Sequence, residues 1–266
     1  MSTDVSPKKP SDLAIRSVVG IGMVAVAITA LWFGDKVFWA LCAVAGLFMM
    51  AEWADLDGVP AKTKLLAQYA ITIPLALMAP GWAAGAGFLT LGATIGAAFF
   101  LVIVTRRPTL AAGALYVGLP ILSLLLIRRQ EEGIVFTLWA LALVWMCDIG
   151  AYFSGRAIGG PKLAPAFSPN KTWAGLAGGV VLASAFGALM HVQYGLPWRL
   201  TLATPVLAIV AQGGDLFESW LKRRAGVKDS GNILPGHGGI LDRLDGLVPV
   251  APIAALLVIL PKFYPW

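Results

Sequence analysis

Between residues 215 and 245 the chain gathers the groups that chemistry on phosphates requires. Asp215, Ser219 and Lys222 recur at intervals of four and three, with Glu218 and Arg223 beside them. That spacing lines side chains along one face of a helix. Asp242 and Asp245 stand three apart and share a face of the helix expected to begin there. Carboxylate oxygens are hard ligands suited to Mg2+, an ion that keeps several waters and takes oxygens from substrate phosphates. Asp215, Asp242 and Asp245 are therefore candidate ligands for one or two metal ions, with Lys222 and Arg223 as cations for a phosphate beside them. The plainer reading is an interfacial helix end laced by ion pairs, with Arg243 held by a neighbouring carboxylate.

Pro235-Gly236-His237-Gly238-Gly239 forms a glycine-rich turn ahead of Asp242. Gly238 and Gly239 permit positive φ and close backbone approach, so the turn is a candidate donor of N–H groups to phosphate oxygens. His237 reads either as a general base or phosphate contact, or as a structural loop histidine. A second polar stretch begins at Asp148, which ends a long apolar run and there requires a cation, a metal or a water-filled cavity. Ser168, Lys171 and Thr172 offer two hydroxyls and an ammonium to a phosphate; alternatively Ser168 or Thr172 caps a helix. No zinc spacing, Walker loop or dinucleotide fingerprint is present, and no nucleophile elbow supports a Ser-His-Asp arrangement. Cys42 and Cys147 each lie alone in an apolar run and read as small buried hydrophobes, not as a disulfide or zinc pair.

The elements that must position these residues are apolar helices. Of 266 residues, 58% are hydrophobic and 13% charged, against about 25% charged in soluble domains; mean hydropathy is +0.79. Apolar runs cover 17–33, 37–51 (ended by Glu52), 65–105, 109–127, 133–152, a stretch within 172–195, one from about Arg199 that projects past the membrane, and 246–260. The run 65–105 is too long for one span of about 20 residues and divides at Ala79-Pro80-Gly81. The pattern predicts an all-α, polytopic membrane bundle of about nine transmembrane helices. Five lie in an N-terminal region, 1–130, and four in a C-terminal catalytic region, 131–266, with cytoplasmic loops. With the N-terminus inside, 15 of the 20 Lys and Arg residues fall on the cytoplasmic side, as the positive-inside rule requires. The net charge of +6 then belongs to loops and acidic lipid, not to nucleic acid.

Taken together, Ser219-x-Leu221-Lys222-Arg223-x4-Lys228-Asp229-x-Gly231-x2-Leu234-Pro235-x-His237-Gly238-Gly239-Ile240-x-Asp242-Arg243-Leu244-Asp245 resembles the signature of phosphatidate cytidylyltransferases, the CDP-diacylglycerol synthases. Asp148, Ala151-Tyr152, Gly155-Arg156 and Ser168-Pro169-x-Lys171-Thr172 are similar as well. The chain departs at Gly159-Gly160, where members commonly carry Gly-Lys, and at Ala174, commonly an acidic position. The resemblance implies reaction of CTP with phosphatidic acid, giving CDP-diacylglycerol and pyrophosphate. It also implies dependence on Mg2+ with a second cation such as K+. On this reading Asp215, Asp242 and Asp245 hold metal, while Lys171, Lys222, Arg223 and Lys228 bind the triphosphate or the lipid head. Asp229 orders the basic loop or contacts substrate, and His237 becomes a substrate contact. Asp148, Ser168, Thr172, Ser219, Gly238 and Gly239 complete the substrate side. The expected setting is a bacterial inner membrane with the site on the cytoplasmic face; a homodimer is left open.

Two other readings compete. A CTP-dependent transferase acting on a different lipid phosphate would share every motif. A polytopic ion-coupled transporter would spread its ionisable residues over discontinuous helices with repeat symmetry, whereas here they cluster at one face.

Overall fold

The computed structural model describes residues 12–233 and 238–262. Nine long helices follow one another among the described residues: α1 (Asp12–Phe33), α2 (Asp35–Leu56), α3 (Ala61–Leu77), α4 (Phe88–Thr105), α5 (Pro108–Arg128), α6 (Gly133–Ile158), α7 (Trp173–Tyr194), α8 (Trp198–Arg224) and, after the single-turn α9 (Leu241–Leu244), α10 (Leu247–Ile259). Six of them, α2, α4, α5, α6, α7 and α8, are long and apolar enough to cross a membrane. Of the remaining three, α1 over Val19–Phe33 and α10 are shorter apolar helices. Buried residues from both halves of the chain, among them Met49, Leu101 and Val117 with Trp139, Leu207 and Val250, form one core. This is an integral membrane helical bundle.

Local chemistry sets the ends of these helices. Pro108 opens α5 at the first helical position, where its missing N–H costs nothing. Gly195 closes α7 in the left-handed region at φ 67°, which glycine enters without a Cβ clash. Lys222, Arg223 and Arg224 fill the last turn of α8, where cations oppose the negative end of the helix dipole. At 27 residues, α8 is about 40 Å long, so its charged end extends beyond an apolar layer of about 30 Å.

Two expectations are corrected. The run expected to end at 152 continues helical to Ile158 as α6, and the stretch before the next run is a hairpin of β1 (Lys162–Ala164) and β2 (Ser168–Thr172), paired antiparallel. Gly159 and Gly160, at φ 68° and 89°, stop the helix and start the turn. Asp242 and Asp245, expected in the first turn of the last long helix, lie before it. The Asp245 carboxylate takes the Gly246 N–H at 2.7 Å, a local bond that competes with the helical ladder and separates α9 from α10.

Small residues let the site helices approach. A Cβ on Gly150 of α6 would stand 2.5 Å from the Gly178 carbonyl of α7, and one on Gly179 would stand 2.7 Å from the Cys147 carbonyl. Lipid tails are as apolar as leucine, so association inside a membrane relies on this kind of close packing. The contact brings Asp148 on α6 beside the start of α7. Gly214 plays the same part on α8: a Cβ there would fall 2.4 Å from the Asp245 carbonyl. The two carboxylate-bearing segments, 215–222 and 242–245, meet through that contact.

Candidate active site

A cavity of about 620 Å³ opens where α6, β2, α7 and α8 converge. Asp148, Tyr152, Arg156, Lys171, Thr172, Gln212 and Asp215 are among its lining residues. The hairpin delivers Lys171 and Thr172 to this point, and the Trp173 N–H is held by the Pro161 carbonyl at 3.1 Å. Thr172 accepts the Gly175 N–H at 3.0 Å, so its side chain is the N-cap of α7, the alternative role considered for it. Lys171 Nζ lies 2.5 Å from Asp215 Oδ2, and Ser219 donates to Asp215 Oδ1 at 3.3 Å. Asp148 Oδ1 receives Gln212 Nε2 at 3.2 Å.

Behind this open half lies a closed one. Lys222 Nζ donates to Asp242 Oδ1 at 2.5 Å and stands 3.3 Å from Glu218 Oε1. Asp242 Oδ2 accepts the Ser230 N–H at 2.9 Å, the Ser230 hydroxyl at 2.9 Å and the Gly239 N–H at 2.8 Å. Gly238 has φ +80°, and a Cβ on it would stand 2.7 Å from Asp242 Oδ2; only glycine fits this turn. Its neighbours' N–H groups, at Gly239, Ile240 and Leu241, are all engaged by protein carboxylates.

The electrostatics divide likewise. Burial alone would raise the Asp242 carboxyl, but the donors from Lys222 and Gly239 outweigh it and hold the group below the usual carboxylate range. Asp245 moves the other way. Burial first, then the charges of Asp215 and Asp148, push it up to about 8. Asp148, Asp215 and Asp245 therefore form a mutually repelling set with Lys171 as its near cation, an environment that favours a further cation. Among the described residues no three acidic, histidine or cysteine side chains stand in a ready-made metal geometry.

The structure thus brings Asp148, Lys171, Thr172 and Asp215 together at the cavity, with Ser219 bonded to Asp215 beside it, and Lys222, Asp242, Gly238 and Gly239 behind it. Arg223 is exposed and donates to the Val227 carbonyl at 3.0 Å. Lys228 and Asp229 are exposed, Asp229 beside Gly238. Ser168 starts β2 and does not line the cavity. Arg243 is exposed and makes no ion pair among the described residues. His237 lies outside the described residues. Sequence reasoning missed Gln212, Ser230 and above all Glu52, whose carboxylate accepts the Ile240 N–H at 2.9 Å and the Leu241 N–H at 2.8 Å and lies 3.2 Å from the Ser230 hydroxyl oxygen. A lone acid inside an apolar run was its only signal.

Comparison with known proteins identifies the family. A protein named phosphatidate cytidylyltransferase in Brucella suis biovar 1 is 41% identical over 257 residues, covering 92% of this chain and 93% of that protein. A protein of the same name in Bacillus subtilis is 44% identical over 151 residues, covering 55% of this chain and 56% of that one. Another in Staphylococcus epidermidis is 46% identical over 135 residues, with coverage of 50% and 52%. The profile of the cytidylyltransferase family matches residues 14–260, a span that takes in both halves of the site, and the chain belongs to that family of CTP-using nucleotidyltransferases.

Proposed function

We propose that this enzyme transfers the cytidylyl group of CTP to phosphatidate, releasing pyrophosphate and forming CDP-diacylglycerol, on the cytoplasmic face of a bacterial inner membrane. The observation that carries this reading is the polar cavity at one end of an apolar bundle, where Lys171 and Arg156 stand among Asp148 and Asp215. It combines room for a polyanion with immediate access to lipid. The name shared by the Brucella, Bacillus and Staphylococcus relatives supports phosphatidate as acceptor. The concentration of Lys and Arg at this end of the helices supports the cytoplasmic side.

In the reaction an oxygen of the lipid phosphate bonds to the α-phosphorus of CTP. The bond from that phosphorus to the bridging oxygen breaks, and pyrophosphate leaves with the electron pair. The lipid phosphate is ionised near neutral pH, so no general base is required. The barrier is the approach of one anion to another, and positioning with charge neutralisation lowers it. Lys171 exchanges Asp215 for a phosphate oxygen, and Arg156 binds a second. Lys228 and Arg223, exposed at the rim, meet the triphosphate or the lipid head. Ser168, Ser219, Asp229, His237, Gly238 and Gly239 belong to the substrate side on motif grounds. Hard oxygens and surplus negative charge suit Mg2+ at Asp215 and Asp245, with Asp148 near; the bound ion would neutralise phosphate charge and orient the displacement. Asp242 and Lys222 form the wall behind these ligands, and Asp242 joins the ion only by giving up a protein donor.

The test is product formation by purified protein from labelled CTP and phosphatidate, with Mg2+ and with chelator. Magnesium-dependent CDP-diacylglycerol and an equal amount of pyrophosphate are expected. Product with another lipid phosphate alone would change the acceptor and keep the chemistry. Folded protein that uses no lipid phosphate would overturn the reading.

A further inference from the structure

We infer that Glu52 is a positioning residue for cytidylyl transfer: a carboxylate from α2 that clamps Ser230 and the 240–241 segment and so fixes Asp242 and Asp245 against α8. The inference rests on the functional reading of that segment given above. Glu52 is 2% exposed and stands in a helix that is otherwise apolar over its preceding turns. An acid so placed is costly unless its oxygens are filled. They are filled from one source. Oε1 takes the Ile240 N–H, and Oε2 takes the next N–H along, that of Leu241, with the Ser230 hydroxyl oxygen 3.2 Å away.

Two consecutive amides on the two oxygens of one carboxylate fix both the position and the rotation of the chain that leads into Asp242. Gly231 and Gly239 leave room for the carboxylate. A Cβ on Gly231 would stand 2.7 Å from Glu52 Oε1, and one on Gly239 2.6 Å. Ser230 joins Glu52 to the site proper, since its hydroxyl lies within hydrogen-bond distance of both Glu52 Oε2 and Asp242 Oδ2.

The clamp itself is held rigidly. The adjacent Trp53 donates Nε1–H to the Thr109 carbonyl at 2.9 Å, and its ring occupies the space left by Gly113 on α5. Tyr116 packs on Trp53 with ring centroids 4.9 Å apart, and Phe217 of α8 packs on Tyr116 at 5.7 Å. Thus α2 and α8 are referenced to each other through α5, and Glu52 transmits that reference to the acidic turn. Glu52 does not line the cavity; it acts through the residues it holds.

The test uses the full chain in lipid nanodiscs. Glutamine at this position has one acceptor oxygen and sets its NH2 against a backbone N–H that cannot turn away. For Glu52→Gln, kcat should fall about 10- to 100-fold, the scale set by small misplacement of reacting groups, while KM for CTP changes little. Hydrogen exchange in peptides covering 238–245 should quicken, and exchange in α3 and α4 should stay as in the wild type. Ser230→Ala should give a smaller loss with the same local signature, and it carries the test if Glu52→Gln does not accumulate. Wild-type kcat in a folded Glu52→Gln protein would overturn the inference, as would faster exchange spread evenly over all helices or lost turnover with unchanged exchange at 238–245. If the wild type transfers no cytidylyl group to any lipid phosphate, the functional reading fails, and the exchange result still decides whether the clamp exists.

Discussion

Two ion pairs in this site have the same length and opposite settings. Lys171 and Asp215 meet at 2.5 Å on the wall of the cavity, with side chains 19% and 28% exposed. Lys222 and Asp242 also meet at 2.5 Å, but at 12% and 3% exposure, with Glu218 fully buried against the lysine. The first pair borders space that a substrate can enter, so each partner can be exchanged for phosphate or metal. In the second, Asp242 is filled by protein donors and Lys222 lies between two carboxylates, away from the cavity. Length alone does not distinguish the two pairs; access and the count of competing donors do.

Breaking the closed pair should have the largest effect. Asp242→Asn leaves Lys222 short of charge and sets an NH2 against the N–H donors of Ser230 and Gly239. Unfolding in detergent should become easier by about 3–5 kcal/mol, the cost of leaving a buried charge unpaired, with turnover nearly abolished in the protein that remains folded. Asp215→Asn tests the open half. Turnover should fall roughly 10²–10³-fold, the scale of losing one electrostatic stabiliser, while the melting temperature stays close to that of the wild type. If Asp215→Asn destabilised as much as Asp242→Asn, the division between the halves would be lost. Lys171→Met should raise KM for CTP by about tenfold and change stability by less than about 1 kcal/mol, as for other accessible ion pairs. Thr172→Ala should cost about 1 kcal/mol through loss of the α7 cap, read by thermal unfolding, with turnover lowered only as far as Lys171 is displaced.

The far end of the bundle shows what cations do where no chemistry is required. Arg128 donates to the Leu31 carbonyl at 3.2 Å, Arg129 to the Ala86 carbonyl at 2.6 Å and Arg199 to the Leu257 carbonyl at 3.3 Å. Lys36 rests over the Trp82 ring at 4.5 Å. None of the four has a carboxylate partner among the described residues. They close carbonyls near helix ends and anchor at an interface. At the site end the cations face acids instead.

Much of this was legible in the chain because hydropathy and charge are local properties. The helices lie where uncharged runs of sufficient length lie, and the division of 65–105 at Ala79-Pro80-Gly81 follows from residues that cannot continue a helix. Asp148, Lys171, Asp215, Lys222 and Asp242 stood out because ionisable groups are rare in such a sequence. Partner choice was not legible. Lys222 can reach Glu218 on its own helix, and its stronger contact, to Asp242, depends on where the loop returns. The hairpin escaped notice because strands of three and five residues carry too little alternation to register.

By itself, then, the sequence determined a membrane-embedded helical bundle, the end at which its charges gather and the class of chemistry those charges suit. Each follows from side-chain type and near-neighbour spacing. Only the tertiary structure decided which acids remain open and which are filled, and that Glu52 reaches across 188 residues to the Ile240 amide. The reason is physical: burial and donor count are properties of an assembled site, fixed when Gly150, Gly179 and Gly214 allow their helices to touch, and no local pattern encodes them.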